Sequence, residues 1–282
     1  MTRPRDFGFR IECFPTRTRT LPPATHTNAY ALGGSEVLIV EPAPEDKTEQ
    51  KAMIDWVQAM RRVGRRPLAI VITHHHPDHI GAAAVMQKEL GLPLWAHAAT
   101  QALMPHLSID KSLVDGDRIV LDDPLQTWEV LHTPGHASGH LCLFERDLGV
   151  LLLGDMVATK STILIEPSDG DMREYLKQLE RLAALEARVG LPAHGEPIEQ
   201  PSRFLRATHA HRMMRENKII DVLRSTAAFV ALDEMLALVY DDTSVVLWPL
   251  AKKSLLAHLE KLQAEGKVHG NNAGYYGWVG ET

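Results

Sequence analysis

The stretch T-H-H-H-P-D-H, from Thr73 to His79, decides the fold and the chemistry of this chain. His74 and His76 are two positions apart, and the Asp-His pair that ends the stretch lies one turn further on. Imidazole and carboxylate groups are the ligands that zinc and related divalent ions take in proteins. The pattern H-x-H-x-D-H therefore predicts a site for two metal ions side by side, with His75 pointing away from them.

The residues on either side place this stretch on a loop. The apolar run from Pro67 to Ile72 predicts a buried strand, and the run from Gly81 to Met86 predicts a helix. A loop between a strand and a helix aims its side chains in different directions while both ends stay fixed. We therefore expect the predicted ligands at the end of a strand.

Three further blocks downstream supply the ligands that the short motif lacks. They are Thr133-Pro134-Gly135-His136, Gly154-Asp155 and Ala193-His194-Gly195, and each follows an apolar run that is typical of a strand. Taken in this order with the first motif, the blocks resemble the metallo-β-lactamase superfamily over roughly residues 20 to 200. The resemblance implies an α/β fold, a four-layer αββα sandwich.

The resemblance also implies a ligand set and a reaction. The implied ligands are His74, His76 and His136 for one ion, Asp78, His79 and His194 for the other, and Asp155 between them. The cofactors would be two divalent metal ions, zinc in the first place, with iron or manganese also compatible with these ligands. A hydroxide that bridges the two ions would attack an ester, a thioester or a phosphodiester, with Asp78 and Asp155 as the catalytic carboxylates. The chain is thus expected to be a metal-dependent hydrolase.

Single positions exclude several branches of the superfamily. Asp155 stands where β-lactamases that inactivate antibiotics commonly have a cysteine, and His76 stands where flavin-coupled diiron reductases have a glutamate. The short segment between Asp155 and His194 leaves no room for the inserted cap domain of some nucleases. Antibiotic hydrolysis, redox chemistry and that nuclease type are therefore disfavoured.

Candidate substrate-pocket residues are less well specified by the sequence. Lys160, Ser161 and Thr162 follow Asp155, and Asn28 ends the polar stretch from Thr25 that is expected as a loop entering the first strands. A solvated loop or a structural turn explains such polar residues equally well. The run Thr162–Ile165 is expected as a strand, and Asp171 as the N-cap of the helix after it.

Composition is typical of a globular enzyme without disulfides. The chain has 282 residues, of which 45% are hydrophobic, and only two cysteines, Cys13 and Cys142, both expected as plain thiols. It contains neither an apolar leader near the N-terminus nor an apolar run of roughly eighteen residues. A cytoplasmic location and no membrane partner are expected.

The pattern changes near Pro201, which we predict as a domain boundary between residues 1–200 and 201–282. Helices are expected over Ser202–Arg224, Ala231–Tyr240 and Leu250–Glu265, followed by two short strands around Asn271. Three helices and a β-ribbon predict a winged-helix domain. With this domain the chain resembles the branch of the superfamily that contains the β-lactamase-like protein 2 endoribonucleases.

Three interpretations of function follow. The winged helix and the basic residues on its helices favour single-stranded RNA as substrate, although the chain carries a net charge of −6 and RNA binding generally needs a positive surface. The metal domain is also similar to thioesterases and glyoxalase II, which implies a small acyl thioester or ester. Alternatively the winged helix serves binding or dimerisation rather than catalysis, which would make the protein a homodimer.

Overall fold

The computed structural model describes residues 3–160, 162–226 and 228–279. Two β-sheets lie face to face and helices cover the outer face of each. The first sheet has seven strands in chain order: β1 (Arg5–Asp6), β2 (Ile11–Arg17), β3 (His26–Leu32), β4 (Glu36–Val40), β5 (Arg66–Val71), β6 (Leu94–Ala96) and β7 (Lys111–Ser112). The second has six: β8 (Arg118–Leu121), β9 (Gln126–His132), β10 (Leu141–Glu145), β11 (Val150–Gly154), β12 (Val189–Pro192) and β13 (Ile198–Glu199).

The central core lies between the two sheets. Tyr30 and Leu38 enter it from the first sheet, and Trp128 and Leu143 from the second, each at most 1% exposed. Side chains of a strand alternate between its two faces, so every strand also presents an outer set to a helix layer. The predicted four-layer sandwich is confirmed.

Helices of the first half cover the outer face of the first sheet. They are α1 (Lys47–Arg62), α2 (Pro77–Ile80), α3 (Ala83–Leu90) and α4 (Ala98–Leu103). Asp46 starts α1 by accepting hydrogen bonds from the amides of Thr48 and Glu49. The buried stripe that includes Met53 and Trp56 then packs onto the sheet.

One helix of the metal domain covers the second sheet. It is α5 (Met172–Ala183), which begins at Asp171 as predicted, since this carboxylate accepts from the amides of Arg173 and Glu174. Tyr175 and Leu179 are fully buried on its inner face. This helix therefore packs both on the second sheet and on the segment that follows Asp155.

The prediction of a strand over Thr162–Ile165 is wrong. Ile163 and Ile165 are buried as an apolar run predicts, but the segment joins none of the three sheets. Its carbonyl groups bond to side chains instead: that of Ile163 accepts from Arg212, and that of Leu164 from His136. Hydrogen bonds to side chains have taken the place of a strand ladder.

The C-terminal part is the predicted winged helix. It consists of α6 (Pro201–Ser225), β14 (Val230–Ala231), α7 (Leu232–Val239), a short 3₁₀ helix (Val245–Leu247), α8 (Trp248–Ala264), β15 (Val268–Gly270) and β16 (Tyr275–Trp278). The three strands form a small sheet in the order β14-β16-β15. A separate core, which includes Met235 and Leu255, lies between the helices and this sheet.

Helix α6 belongs to the cores of both parts. Leu205, near its start, packs with the α5 layer, whereas Ile219 and Leu223, near its end, pack in the winged-helix core. The domain boundary at residue 201 stays a prediction, and a continuous helix rather than a flexible linker follows it. Among helices in the described ranges, none is long and apolar enough to cross a membrane.

Candidate metal centre

The seven predicted metal ligands meet at one edge of the two sheets. His74 and His76 follow β5, and Asp78 and His79 lie in α2. The other three come from the second sheet: His136 from the loop between β9 and β10, Asp155 directly after β11, and His194 two residues after the end of β12. The strand ends of both sheets thus carry the site.

Three imidazoles form the first group. The Nε2 atoms of His74 and His136 are 3.2 Å apart, and each is 3.0 Å from Nδ1 of His76. Three ligands of one tetrahedral zinc ion are about 3.3 Å apart, given zinc–nitrogen bonds of about 2.0 Å. The observed spacing is close to that arrangement.

Two carboxylates and two imidazoles form the second group. Nε2 of His194 lies 3.6 Å from Asp78 and 3.3 Å from Asp155, and Nε2 of His79 lies 3.9 Å and 3.6 Å from the same two residues. Asp155 also approaches the first group, since its Oδ2 is 3.5 Å from Nε2 of His136. Asp155 therefore lies between the two groups.

Protein oxygens fix the orientation of the imidazole rings. Nδ1 of His136 donates to the Leu164 carbonyl at 2.8 Å, and Nδ1 of His194 donates to the His26 carbonyl at 3.0 Å. A ring that donates from Nδ1 keeps the lone pair on Nε2, which here faces the centre of the site. These rings are held in the tautomer that a metal ligand needs.

A buried carboxylate, Glu41, supports the site and was missed by the sequence analysis. It lies directly after β4, is 0% exposed and accepts a hydrogen bond from Thr73 at 2.6 Å. Its other oxygen is 3.2 Å from Nδ1 of His79, and Thr73 in turn contacts Nδ1 of His74 at 3.0 Å. The signal in the sequence was a glutamate that ends an apolar strand, which is costly unless the carboxylate is partnered.

His140 supports the position of Asp155 through the backbone. Its Nε2 accepts from the amide of Asp155 at 3.0 Å, and its Nδ1 contacts Thr133 at 2.8 Å. Burial lowers the pKa of His140 well below its ordinary value, so the ring is neutral. His140 therefore positions a cluster residue without facing the centre itself.

The protonation preferences of the cluster differ between its two groups. Burial lowers the pKa of His74 and His136, and lowers that of His76 to about 2, so these rings are neutral and keep their lone pairs. For His79, burial acts in the same direction, but Glu41 and the aspartates outweigh it and raise the pKa. The first group therefore offers three neutral imidazoles to a cation. The second group offers imidazoles together with negatively charged carboxylates.

The site residues contain polar atoms that the protein does not satisfy. Within the described ranges, Nε2 of His79 and Oδ1 of Asp155 make no hydrogen bond, although both atoms are buried. Buried polar atoms are almost always partnered in proteins. Three sets of these side chains have ligand atoms within 4.8 Å of one another: His74, His76 and His136; His74, His79 and Asp155; Asp78, His79 and His194. The donor set fits two divalent cations.

His75 and the two cysteines lie outside these sets. His75 turns its Nδ1 towards Asp169, at 3.6 Å. Cys13 and Cys142 are buried free thiols, and burial raises the pKa of both to about 12. Neither thiol is available as a nucleophile at neutral pH.

The predicted pocket residues have different positions. Asn28 lies in β3 rather than in a loop, is buried, and donates from its side-chain amide to the carbonyls of Pro192 and Gly195, so that it holds the loop of His194. Lys160 is exposed and lines a small cavity beside Asn28. Thr162 lines the cleft above the cluster, and Ser161 lies outside the described residues.

The cleft above the cluster has a volume of about 330 Å³. Arg19 and Leu21 line one side, and Leu250 and Lys253 of α8 line another. Lys253 forms an ion pair with Glu166 at 2.7 Å, which joins the winged helix to the cleft wall. These wall residues could not be identified from the sequence, because no local pattern shows which helix packs over a site.

Family models match both parts of the chain. The model described as the metallo-beta-lactamase superfamily matches residues 22–194, and the model of the beta-lactamase associated winged helix domain matches residues 231–278. The first match covers more than half of the chain and includes all seven clustered residues.

Individual proteins are similar over most of the chain. A beta-lactamase-like protein 2 homolog of Drosophila melanogaster is 28% identical over 86% of this chain and 84% of its own length. An atrochrysone carboxyl ACP thioesterase of Aspergillus fumigatus is 26% identical over 71% of this chain and 60% of its own. A beta-lactamase domain protein from Burkholderia ambifaria has the same fold, with a TM-score of 0.81, 19% identity, and coverage of 98% and 93%.

Proposed function

Since the chain belongs to the metallo-beta-lactamase superfamily of hydrolases, we propose that it uses two divalent metal ions to hydrolyse a small acyl thioester or ester. The observation that carries the substrate class is the size and closure of the cleft. Its volume of about 330 Å³ is at the lower end of the range for small-molecule sites, and α8 closes one side.

Seven residues hold the ions in this proposal. His74, His76 and His136 would hold the first, Asp78, His79 and His194 would hold the second, and Asp155, which lies between these two groups of residues, would complete the set. Imidazole with carboxylate favours zinc and also accepts iron or manganese. When bound, such a pair lowers the pKa of a water molecule towards neutrality and stabilises negative charge on the attacked carbonyl group.

Other residues of the chain hold three of the proposed metal ligands in place. Glu41 and Thr73 hold the rings of His79 and His74, and His140 holds the backbone of Asp155. These three ligands are thus fixed by a second group before substrate arrives, which reduces the reorganisation that the reaction requires. Neither buried thiol takes part.

The cleft walls suit an acyl group that is attached to an anionic carrier. Leu21, Leu164 and Leu250 provide apolar surface for the acyl chain. Arg19 is exposed at the mouth and, in the part of the chain that the structure describes, has no ionic partner. A phosphate or carboxylate on the thiol carrier would contact this guanidinium.

Most basic residues of the C-terminal helices are poorly placed for an RNA backbone. Arg212 and Arg215 are buried. Five others pair with acidic residues: Arg206 with Glu186, Lys218 with Asp241, Lys252 with Asp233, Lys253 with Glu166 and Lys261 with Glu216. Binding of single strands depends on a continuous unpaired positive track.

Cleavage of single-stranded RNA is the second candidate. It is supported by the two-domain similarity to a beta-lactamase-like protein 2 homolog, together with the resemblance of this chain to endoribonucleases of that type. Tyr275 on the β-ribbon is 43% exposed and provides a surface on which a base could stack.

A comparative turnover assay tests the proposal. Zinc-loaded and manganese-loaded protein is incubated with acyl-CoA and acyl-glutathione thioesters in one arm and labelled single-stranded RNA in the other, beside the Asp155→Asn variant. Asp221→Asn, an exposed change on α6, is the matched control. Thioester turnover that is lost only in Asp155→Asn supports the proposal. RNA cleavage with the same dependence, and no thioester turnover, would establish the second candidate instead.

A further inference from the structure

A second cavity lies behind the wall of the metal cleft. It has a volume of about 280 Å³ and lies between α6 and residues 157, 158, 162 and 163. The lining is mainly apolar and includes Val157, Ile163, Tyr175, Phe204, Ala207 and Arg212. None of the seven clustered residues lines it, so it is separate from the metal centre.

Arg212 is a buried cation of this lining without a counter-ion. It is 5% exposed, donates one hydrogen bond to the Ile163 carbonyl, and lies 5.7 Å from the centre of the Tyr175 ring. Its Nε has no hydrogen-bond partner within the ranges described, and no carboxylate there lies within ion-pair distance. Glu216, one turn further along α6, is engaged by His258 and Lys261.

A neighbouring arginine on the same helix, Arg215, has the carboxylate partner that Arg212 lacks. Arg215 is 6% exposed, and it too contacts a carbonyl and an aromatic ring, those of Val239 and Tyr240. In contrast to Arg212, it also forms an ion pair with Asp242 at 2.6 Å. Burial of a cation without an anion is costly, because the charge loses its hydration and gains no ionic partner in return.

We propose that this cavity binds a small carboxylate with an apolar body, with Arg212 as its counter-ion. A guanidinium matches a carboxylate in shape and charge, and the apolar lining suits an alkyl or acyl chain. The volume limits the ligand to a short or medium chain. The site goes beyond the proposed hydrolysis and does not depend on it.

A ligand in the cavity would contact the wall of the metal cleft from behind. Thr162 and Ile163 line both spaces, and Arg212 bonds to the backbone of Ile163. Binding would therefore restrain the segment that follows Asp155. The cavity provides a route by which a fatty carboxylate could influence the cleft.

Calorimetric titration of the metal-loaded full-length protein tests this site. Octanoate is compared with octanol, which lacks the charge, and with acetate, which lacks the chain. We expect octanoate to bind at least about tenfold more tightly than octanol, because only octanoate forms a charge-assisted bond to Arg212. Equal binding of octanol, or no binding of octanoate, would overturn the proposal.

Matched variants locate the binding. Ala207→Trp fills the cavity from an exposed position of α6 and should abolish octanoate binding, whereas Ala210→Trp, exposed on the same helix, should leave it unchanged. Arg212→Gln should weaken the binding of octanoate but not that of octanol. Unchanged binding of octanol would report that the cavity is intact in this variant. Octanoate binding that survives Ala207→Trp but is lost in Asp155→Asn would place the ligand in the metal cleft and refute the proposal.

Discussion

Single residues that do not face the metal positions determine how well the site is formed. Glu41 is the clearest example, because its two oxygens contact Thr73 and His79, which lie on the loop after β5 and in α2. Fully buried carboxylates are rare in proteins unless they are partnered. Glu41 therefore orients two parts of the cluster at once.

Glu41→Gln should weaken metal binding by about ten- to a hundredfold, the usual effect of removing a partner of a ligating histidine. The amide keeps the shape of the side chain but loses the charge that faces His79. Metal affinity is measured by competition with a chromogenic chelator. Glu45→Gln, exposed a few residues away, is the control. Equal affinities of both variants would show that Glu41 has no such role.

At the scale of single residues, the sequence was sufficient to predict the residues that lie in short motifs with a characteristic spacing. All seven clustered residues lie in short motifs, and the structure brings all seven together. Glu41 and Asn28 act through contacts with distant parts of the chain, Glu41 with His79 and Asn28 with the His194 loop. Which strand ends come together is set by sheet topology, so their roles could not be predicted from neighbouring residues.

Among the elements, the loop of His136 depends on a close contact with α5. Gly135 has a φ of +132°, and a Cβ there would lie 2.3 Å from the backbone nitrogen of Tyr175. Only glycine fits both the backbone conformation and the space. The loop and the helix are therefore in direct backbone contact one residue before a cluster residue.

Gly135→Ala should reduce both stability and metal content. The added methyl group displaces the loop or α5, at a cost of about 1–3 kcal/mol for overpacking besides the backbone strain. Gly116→Ala is the control, since Gly116 also has a positive φ but has nothing within 4 Å of the added Cβ. Thermal unfolding and bound metal are measured for both. A similar loss of metal in the two variants would show that the contact with α5 is not the cause.

A buried cluster of charges joins α6 to α8. Glu216 accepts from Lys261 at 2.6 Å and contacts Nδ1 of His258 at 3.0 Å, and it is 2% exposed. Burial would raise the pKa of Glu216, but the bonds from His258 and Lys261 outweigh it and lower the pKa below its usual value. The carboxylate therefore stabilises the fold above its ordinary pKa of about 4.3, and this contribution is lost as the pH falls through the lowered value.

Glu216→Gln should lower the free energy of unfolding by about 3 kcal/mol at pH 7, as expected when a buried ion pair is broken. The difference from the unchanged protein should narrow as the pH falls below about 4.3. Denaturant unfolding at several pH values measures it, with Glu234→Gln on the exposed face of α7 as control. A difference that does not vary with pH would contradict the role of the carboxylate charge.

Helices were easier to predict than the segments between them. The periodic apolar residues of α6 and α8 and the cap at Asp171 are local signals, and the observed helices begin and end within two residues of the expected positions. The segment Thr162–Ile165 has the apolar pattern of a strand, yet Arg212 and His136 take its carbonyls. Such bonds depend on side chains far along the chain, which a local pattern does not contain.

At the scale of the whole molecule, the winged-helix part contributes walls to both cavities. Helix α8 supplies Leu250 and Lys253 to the metal cleft, and α6 supplies Arg212 to the cavity behind its wall. The net charge of −6 and the pairing of most basic residues on these helices fit a role in enclosing a small substrate. A homodimer formed through this part stays a prediction.

Metal stoichiometry tests the central claim most directly. The protein is saturated with zinc, freed of excess by gel filtration, and analysed by native and inductively coupled plasma mass spectrometry beside Asp155→Asn and the control Asp221→Asn. We predict about two ions per chain in the unchanged protein and in the control, and fewer in Asp155→Asn, because Asp155 lies between the two groups. One ion or none in the unchanged protein, or an unchanged count in Asp155→Asn, would contradict the account.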